Sequence, residues 1–144
     1  MEVVTNALSV EQLLSDAGAM TLRVTGCSMQ PLLINNRDSV LLKKYDGEEI
    51  KRGTIVLFKR ENGSLVLHRA VKCSGNRLKI NGDAQSWTEF ISRNQVLGTV
   101  QLIIRNNKEI SLDSFPYKVY CFLWQFTRHI RPAFHKIYAV LKRG

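Results

Sequence analysis

Thr21-Leu22-Arg23-Val24-Thr25-Gly26-Cys27-Ser28-Met29-Gln30-Pro31 holds the reading of this chain. Polar and apolar residues alternate from Thr21 to Thr25, the period-two pattern of a strand with one buried face. Gly26 breaks the run, and Pro31, which has no N–H, bars a return to a hydrogen-bonded ladder. A serine held just past a strand end can project its hydroxyl into a cleft. Two later stretches, Val66-Leu67-His68-Arg69-Ala70 and Ile80-Asn81-Gly82-Asp83-Ala84, supply a histidine and an aspartate. Serine, histidine and aspartate are the parts of an activated hydroxyl nucleophile.

Working outward, residues 9–17 read as a short helix with Ser9 as N-cap, Gln12 completing a capping box and Gly18 as its stop. Downstream, Leu32-Leu33-Ile34 pack inward before an Asn35-Asn36-Arg37 turn, and residues 40–42 and 54–58 read as strands, parted by the charged loop 45–52. Asn62-Gly63 marks a hairpin turn, because these residues tolerate the positive φ angles of tight hairpins. It leads into the strand 64–73 that carries His68. A turn at 74–76, a strand at 78–80 and another at 96–104 follow. This spacing predicts a mainly β, antiparallel domain over residues 1–113.

The chain has 144 residues, 44% of them hydrophobic, enough for one domain with a substantial core. Its net charge of +9 is unevenly placed: residues 114–144 hold six Lys/Arg and no Asp or Glu, leaving the body near +3. That distribution argues against a uniformly basic nucleic-acid-binding domain, and no nucleic-acid partner is expected. Three scattered cysteines, Cys27, Cys73 and Cys121, without a C-x-x-C pair, signal neither zinc nor a disulfide framework. No metal and no cofactor is expected. The reading is a reducing, cytoplasmic setting, with no secretory signal and no run of roughly 20 apolar residues to span a membrane.

From Ser114 the period changes to that of a helix, with Val119, Phe122, Leu123, Phe126 and Ile130, then Phe134, Ile137 and Leu141. Pro132 disfavours helix at Arg131, so a break is expected there. Lys118, Arg128, Arg131, Lys136, Lys142 and Arg143 complete a basic amphipathic tail over residues 114–144. Such a tail suits peripheral contact with an anionic membrane, with Phe122, Trp124, Phe126 and Phe134 as the buried apolar groups, or packing on the sheet.

The local pattern at Ser28 is not a G-x-S-x-G elbow, since Gln30 occupies the second glycine position. Gly26-Cys27-Ser28-Met29-Gln30-Pro31 instead resembles the G-x-S-M-x-P box of the signal peptidase and self-cleaving repressor superfamily of serine proteases, of S24/S26 type. Asn36-Arg37-Asp38-Ser39-Val40-Leu41 resembles its G-D-x-V-x-V segment, with Arg37 in place of glycine. Arg52-Gly53-Thr54-Ile55-Val56-Leu57-Phe58 resembles G-D-I-V-x-F, with Thr54 in place of aspartate. Leu67-His68-Arg69-Ala70-Val71 is similar to the box of the general base, and Asn81-Gly82-Asp83-Ala84 to the G-D-N/A box. The five boxes keep the family's order from Leu22 to about Val100.

Histidine followed by arginine, where most bacterial members have lysine, matches the archaeal and endoplasmic-reticulum signal peptidases. The resemblance implies a signal-peptidase-like β domain with Ser28 as nucleophile, His68 as general base and Asp83 as orienting acid. Its substrate would be an extended polypeptide, cut by a serine endopeptidase. Gly26 and the Ser28 N–H are the candidate oxyanion and substrate-binding elements, with Met29 packed beneath and Cys27 as a small packing residue. A carboxylate beside His68 would move its pKa upward from about 6.5. The competing reading is a catalytically silent peptide-binding relative that keeps the boxes for packing and acts as an adaptor.

Overall fold

The computed structural model describes residues 2–3 and 7–143; the side chains of residues 2–9 and of some positions between 129 and 142, Phe134 and Lys142 among them, lie outside that description. The protein is mainly β. Its described residues form one antiparallel sheet of nine strands: β1 (Glu2–Val3), β2 (Ala19–Arg23), β3 (Asp38–Lys44), β4 (Ile55–Lys59), β5 (Leu65–Ser74), β6 (Arg77–Asn81), β7 (Glu89–Ser92), β8 (Val96–Arg105) and β9 (Lys108–Ser111). The spatial order is β2-β3-β8-β4-β5-β6-β7, with β1 added to β5 and β9 to β8. Strand β8 lies between β3 and β4 although three strands separate it in sequence from β4, and this crossover ties the ends of the domain together.

Helix α1 spans Ala7–Ala17. Ser9 therefore lies inside it and is not the N-cap, and the Gln12 side chain bonds Asp16 one turn on instead of closing a capping box. Gly18 does end the helix: at φ +74° its N–H returns to the Leu14 carbonyl, a conformation that suits glycine. At the Asn62-Gly63 hairpin only Gly63 has positive φ, and Arg60 and Ser64 pair across the turn. Strands β7 and β9 were not foreseen. Both are four residues long, and β9 folds back from β8 through Asn106 and Asn107, each at positive φ.

Alternation on the central strands builds two cores. On β4, Ile55 and Leu57 join one cluster with Leu14, Met29, Leu33, Leu42 and Leu67, while Val56 and Phe58 join another with Val66, Ala70, Leu78 and Ile80. On β5 the same rule sends His68 to the face of Val66 and Ala70 and sends Arg69 to the opposite face.

The tail forms α2 (Phe115–Phe126), a single 3-10 turn (Thr127–His129) and α3 (Arg131–Arg143). The helical path breaks just before Arg131, and Pro132 sits in the first turn of α3, where its missing N–H costs nothing. Tyr117, Tyr120, Cys121, Trp124 and Gln125 are half-buried, whereas Phe115, Val119, Phe122, Leu123, Phe126 and Ile130 are exposed. The apolar stripe thus points away from the sheet. Trp124, expected on that stripe, is on the inner side. No helix among the described residues is long and apolar enough to cross a membrane.

Candidate active site

Ser28 follows Gly26, whose φ of +80° turns the chain out of the β2 direction, and stands in a run of tight turns over residues 26–33. The Leu33 N–H bonds the Met29 carbonyl, and Met29 and Leu33 are both buried, so the turn is pinned to the core from beneath. Cys27 is exposed and not a packing residue. Among the described residues no backbone carbonyl accepts from the Ser28 N–H.

His68 Nε2 lies 3.0 Å from Ser28 Oγ. The imidazole is 1% exposed and is bracketed edge-on by Phe58 and Trp87, with ring centroids at 6.2 and 6.4 Å. Burial, helped by the nearby charge of Arg60, pushes its pKa down from 6.5 to about 3. This is opposite to the upward shift expected from a carboxylate partner. Among the described residues the carboxylate near the ring is Glu89, which stands 3.7 Å from Nδ1 and is itself gripped by Arg60 through bonds of 2.7 and 3.1 Å. Desolvation therefore decides the protonation state, and the imidazole is neutral at physiological pH.

Asp83 does not occupy the position expected of an orienting acid. Its two carboxylate oxygens accept from Arg69 Nε and Nη2, both at 2.8 Å, and one accepts from the Tyr120 hydroxyl at 3.0 Å. The cause is the alternation of β5: Arg69 points to the face opposite His68, and a buried guanidinium requires a buried anion. Burial opposes the charge on Arg69, but Asp83 more than offsets it and the Arg69 pKa is raised. Burial, then the Asp83 charge, pushes the Tyr120 phenol upward, so it remains a donor. The remaining Arg69 nitrogen donates to the Gly53 carbonyl, the Tyr117 hydroxyl and Cys121 Sγ.

The loop around Asp83 nevertheless supports the Ser28 turn. The Ala84 N–H donates to the Ser28 carbonyl at 2.8 Å, and a Cβ at Gly82 would stand 2.7 Å from that same oxygen. Asn81 holds the loop's far side through the Gln85 and Trp87 carbonyls, and so places Trp87 against His68. The Asp83 carbonyl accepts from Trp124 Nε1 at 2.8 Å and from Arg131, which also lies 4.1 Å over the Trp124 ring.

Sequence reading missed Glu89, Trp87 and Arg60, and it gave Tyr120 no role. The segment 85–92 has no alternation long enough to declare a strand. Only the pairing of β7 with β6, which sets Glu89 opposite Ile80, brings the carboxylate towards the histidine.

No curated protein matches the chain. A family model described as Peptidase S24-like does match it, over residues 4–101. The matched region contains the Ser28 turn, His68, the Asp83 loop and Glu89, and it ends before α2. With two thirds of its length under that model, the chain belongs to the Peptidase S24-like family of serine-type peptidases.

Proposed function

We propose that this protein is a serine endopeptidase of the histidine-dependent, signal-peptidase-like kind, with Ser28 as nucleophile and His68 as general base. The observation that carries the reading is the 3.0 Å approach of Ser28 Oγ to the Nε2 of a buried imidazole whose pKa is low enough to keep it neutral. To accept the hydroxyl proton Nε2 must be bare, which puts the ring proton on Nδ1, on the side of Glu89. As Ser28 Oγ bonds the substrate carbonyl carbon, its proton passes to Nε2. The resulting imidazolium returns that proton to the leaving amine as the C–N bond breaks. Water then attacks the acyl-enzyme by the same route. The Ser28 N–H is one donor to the developing oxyanion.

Glu89 lies where a carboxylate can favour the transient imidazolium, a role sequence reading had given to Asp83. Asp83 supports the site through the backbone of Ala84 and Ser28. The substrate in this reading is an extended polypeptide. The test is labelling by a serine-directed fluorophosphonate probe. Ser28 should be labelled in the wild type and unlabelled in folded His68→Ala. An unlabelled, folded wild type would favour the silent peptide-binding relative.

A further inference from the structure

Outside the family-matched region, α2 presents Phe115, Phe122, Leu123 and Phe126 to solvent, with Ile130 just beyond. Phe122 and Phe126 stack at 6.3 Å, so they form one continuous ridge. An exposed ridge of large apolar side chains marks a contact surface. Its chemistry is set by what stands beside it. Gln125, beside Phe126 in α2, and Arg128, in the 3-10 turn that follows, line an open cavity of about 640 Å³. Its other charged walls are Lys51, Arg52, Lys72 and Lys79, against the single acid Glu49. Beyond it the exposed side of α3 adds Lys136 and Arg143, and no acidic residue follows Asp113.

We propose that this face docks on an anionic lipid surface, the ridge entering the acyl boundary and the basic cavity taking headgroup phosphates. A second copy of the chain is the poorer occupant, because it would bring the same positive charge against this one. A membrane supplies both an apolar layer and a negative surface, and amphipathic helices with basic flanks bind by summing the two. Arg131 takes no part, since it is buried against Asp83 and Trp124. The inner side of α2 stays bound to the Asp83 loop, so docking needs no rearrangement of the site.

The experiment is co-sedimentation of the full chain with vesicles of phosphatidylglycerol and phosphatidylcholine, and with phosphatidylcholine alone. Binding to the anionic vesicles should exceed binding to the neutral ones at least about tenfold, and should fall at about 1 M salt, where the Debye length is about 3 Å. Phe122→Glu with Phe126→Glu should lose at least about tenfold in binding. Phe126→Ser, a milder change at an exposed site, should show a smaller loss and stands in if the double variant unfolds. Lys51→Glu with Arg128→Glu should abolish the preference for anionic vesicles. Ser28→Ala should bind as the wild type does, which separates this outcome from the peptidase reading. Equal binding to both vesicle types, or wild-type binding by the ridge variants, overturns the proposal. So does a concentration-dependent dimer that the ridge variants break and that ignores vesicles.

Discussion

Arg69 and Asp83 meet through two parallel hydrogen bonds of 2.8 Å, with both side chains only 2% exposed. The pair sits between the turn that carries Ser28 and helix α2, which reaches it through Tyr120. Removing one partner of such a pair strands a buried charge, which costs about 3–5 kcal/mol. Asp83→Asn should therefore lower stability by that order in urea denaturation, while Tyr120→Phe should cost only about 1 kcal/mol. The fraction of Asp83→Asn that folds should keep the wild-type pH profile of probe labelling, because the carboxylate does not touch His68. A profile displaced along the pH axis would return Asp83 to the histidine.

The low His68 pKa makes a second prediction. At about 3 in the folded chain, against 6.5 ordinarily, the imidazole stays unprotonated through the mildly acidic range. The rate of acylation should show its acid limb below about pH 5 instead of near 6.5. The same shift affects stability. Below 6.5 the unfolded chain takes up a proton that the folded chain refuses, so this residue's contribution falls as pH drops from 6.5 towards 3. His68→Ala should abolish labelling. Glu89→Gln should slow it about tenfold without moving the acid limb far, since Arg60 already offsets the carboxylate.

Gly82→Ala tests the support of the Ser28 turn by the Asp83 loop. The added methyl would press on the Ser28 carbonyl from 2.7 Å, and backbone cannot yield as a flexible side chain does. Labelling should fall at least about tenfold, as small misplacements of a reacting group do. Unchanged labelling would show that the turn moves freely.

Asp38 predicts an acid-sensitive anchor. Burial alone would raise its pKa, but bonds from Arg105, Arg37 and the Ile34 N–H bring it down to about 2. A carboxyl lowered on folding contributes stability above its unfolded pKa of about 4 and loses it as pH falls through 2. Asp38→Asn should remove that part of the acid dependence and cost about 3 kcal/mol at neutral pH. The check is thermal unfolding of both proteins between pH 2 and pH 5.

The Ala17-Gly18 bond resembles the site cut by self-cleaving repressors, and it should stay intact. The Gly18 N–H caps α1 at 3.0 Å and the Gly18 carbonyl bonds Lys44 at 2.8 Å, so both sides of the bond are tied into helix and sheet. The ten residues from Gly18 to Cys27 give the chain little slack to reach its own cleft. Mass spectrometry of incubated protein should find a single species. A concentration-independent cut after Ala17 would refute this.

What could be read from the chain alone was what local chemistry controls. Alternation marked the long strands, and glycine at positive φ marked the stop at Gly18 and the turns at Gly26 and Gly63. The order of the five boxes selected Ser28 and His68 from the chain's other serines and histidines. A helical period marked residues 114–144. Strands β7 and β9 escaped because four residues are too few to show a period, and their place comes from pairing with β6 and β8.

Tertiary structure decided which acid meets which base. On β5 adjacent residues face opposite ways, so the carboxylate that pairs with Arg69 lies on the other face from His68. Glu89 comes near the histidine only through the register of β7 on β6. Periodicity likewise showed that the tail has an apolar stripe but not its direction. The aromatic and polar side of α2 turned inward because Asp83, Arg69 and the Asp83 carbonyl offered hydrogen bonds to Tyr120, Tyr117 and Trp124 there. Buried polar groups must be satisfied and exposed apolar ones need not be. That demand turned Phe122 and Phe126 to the outside.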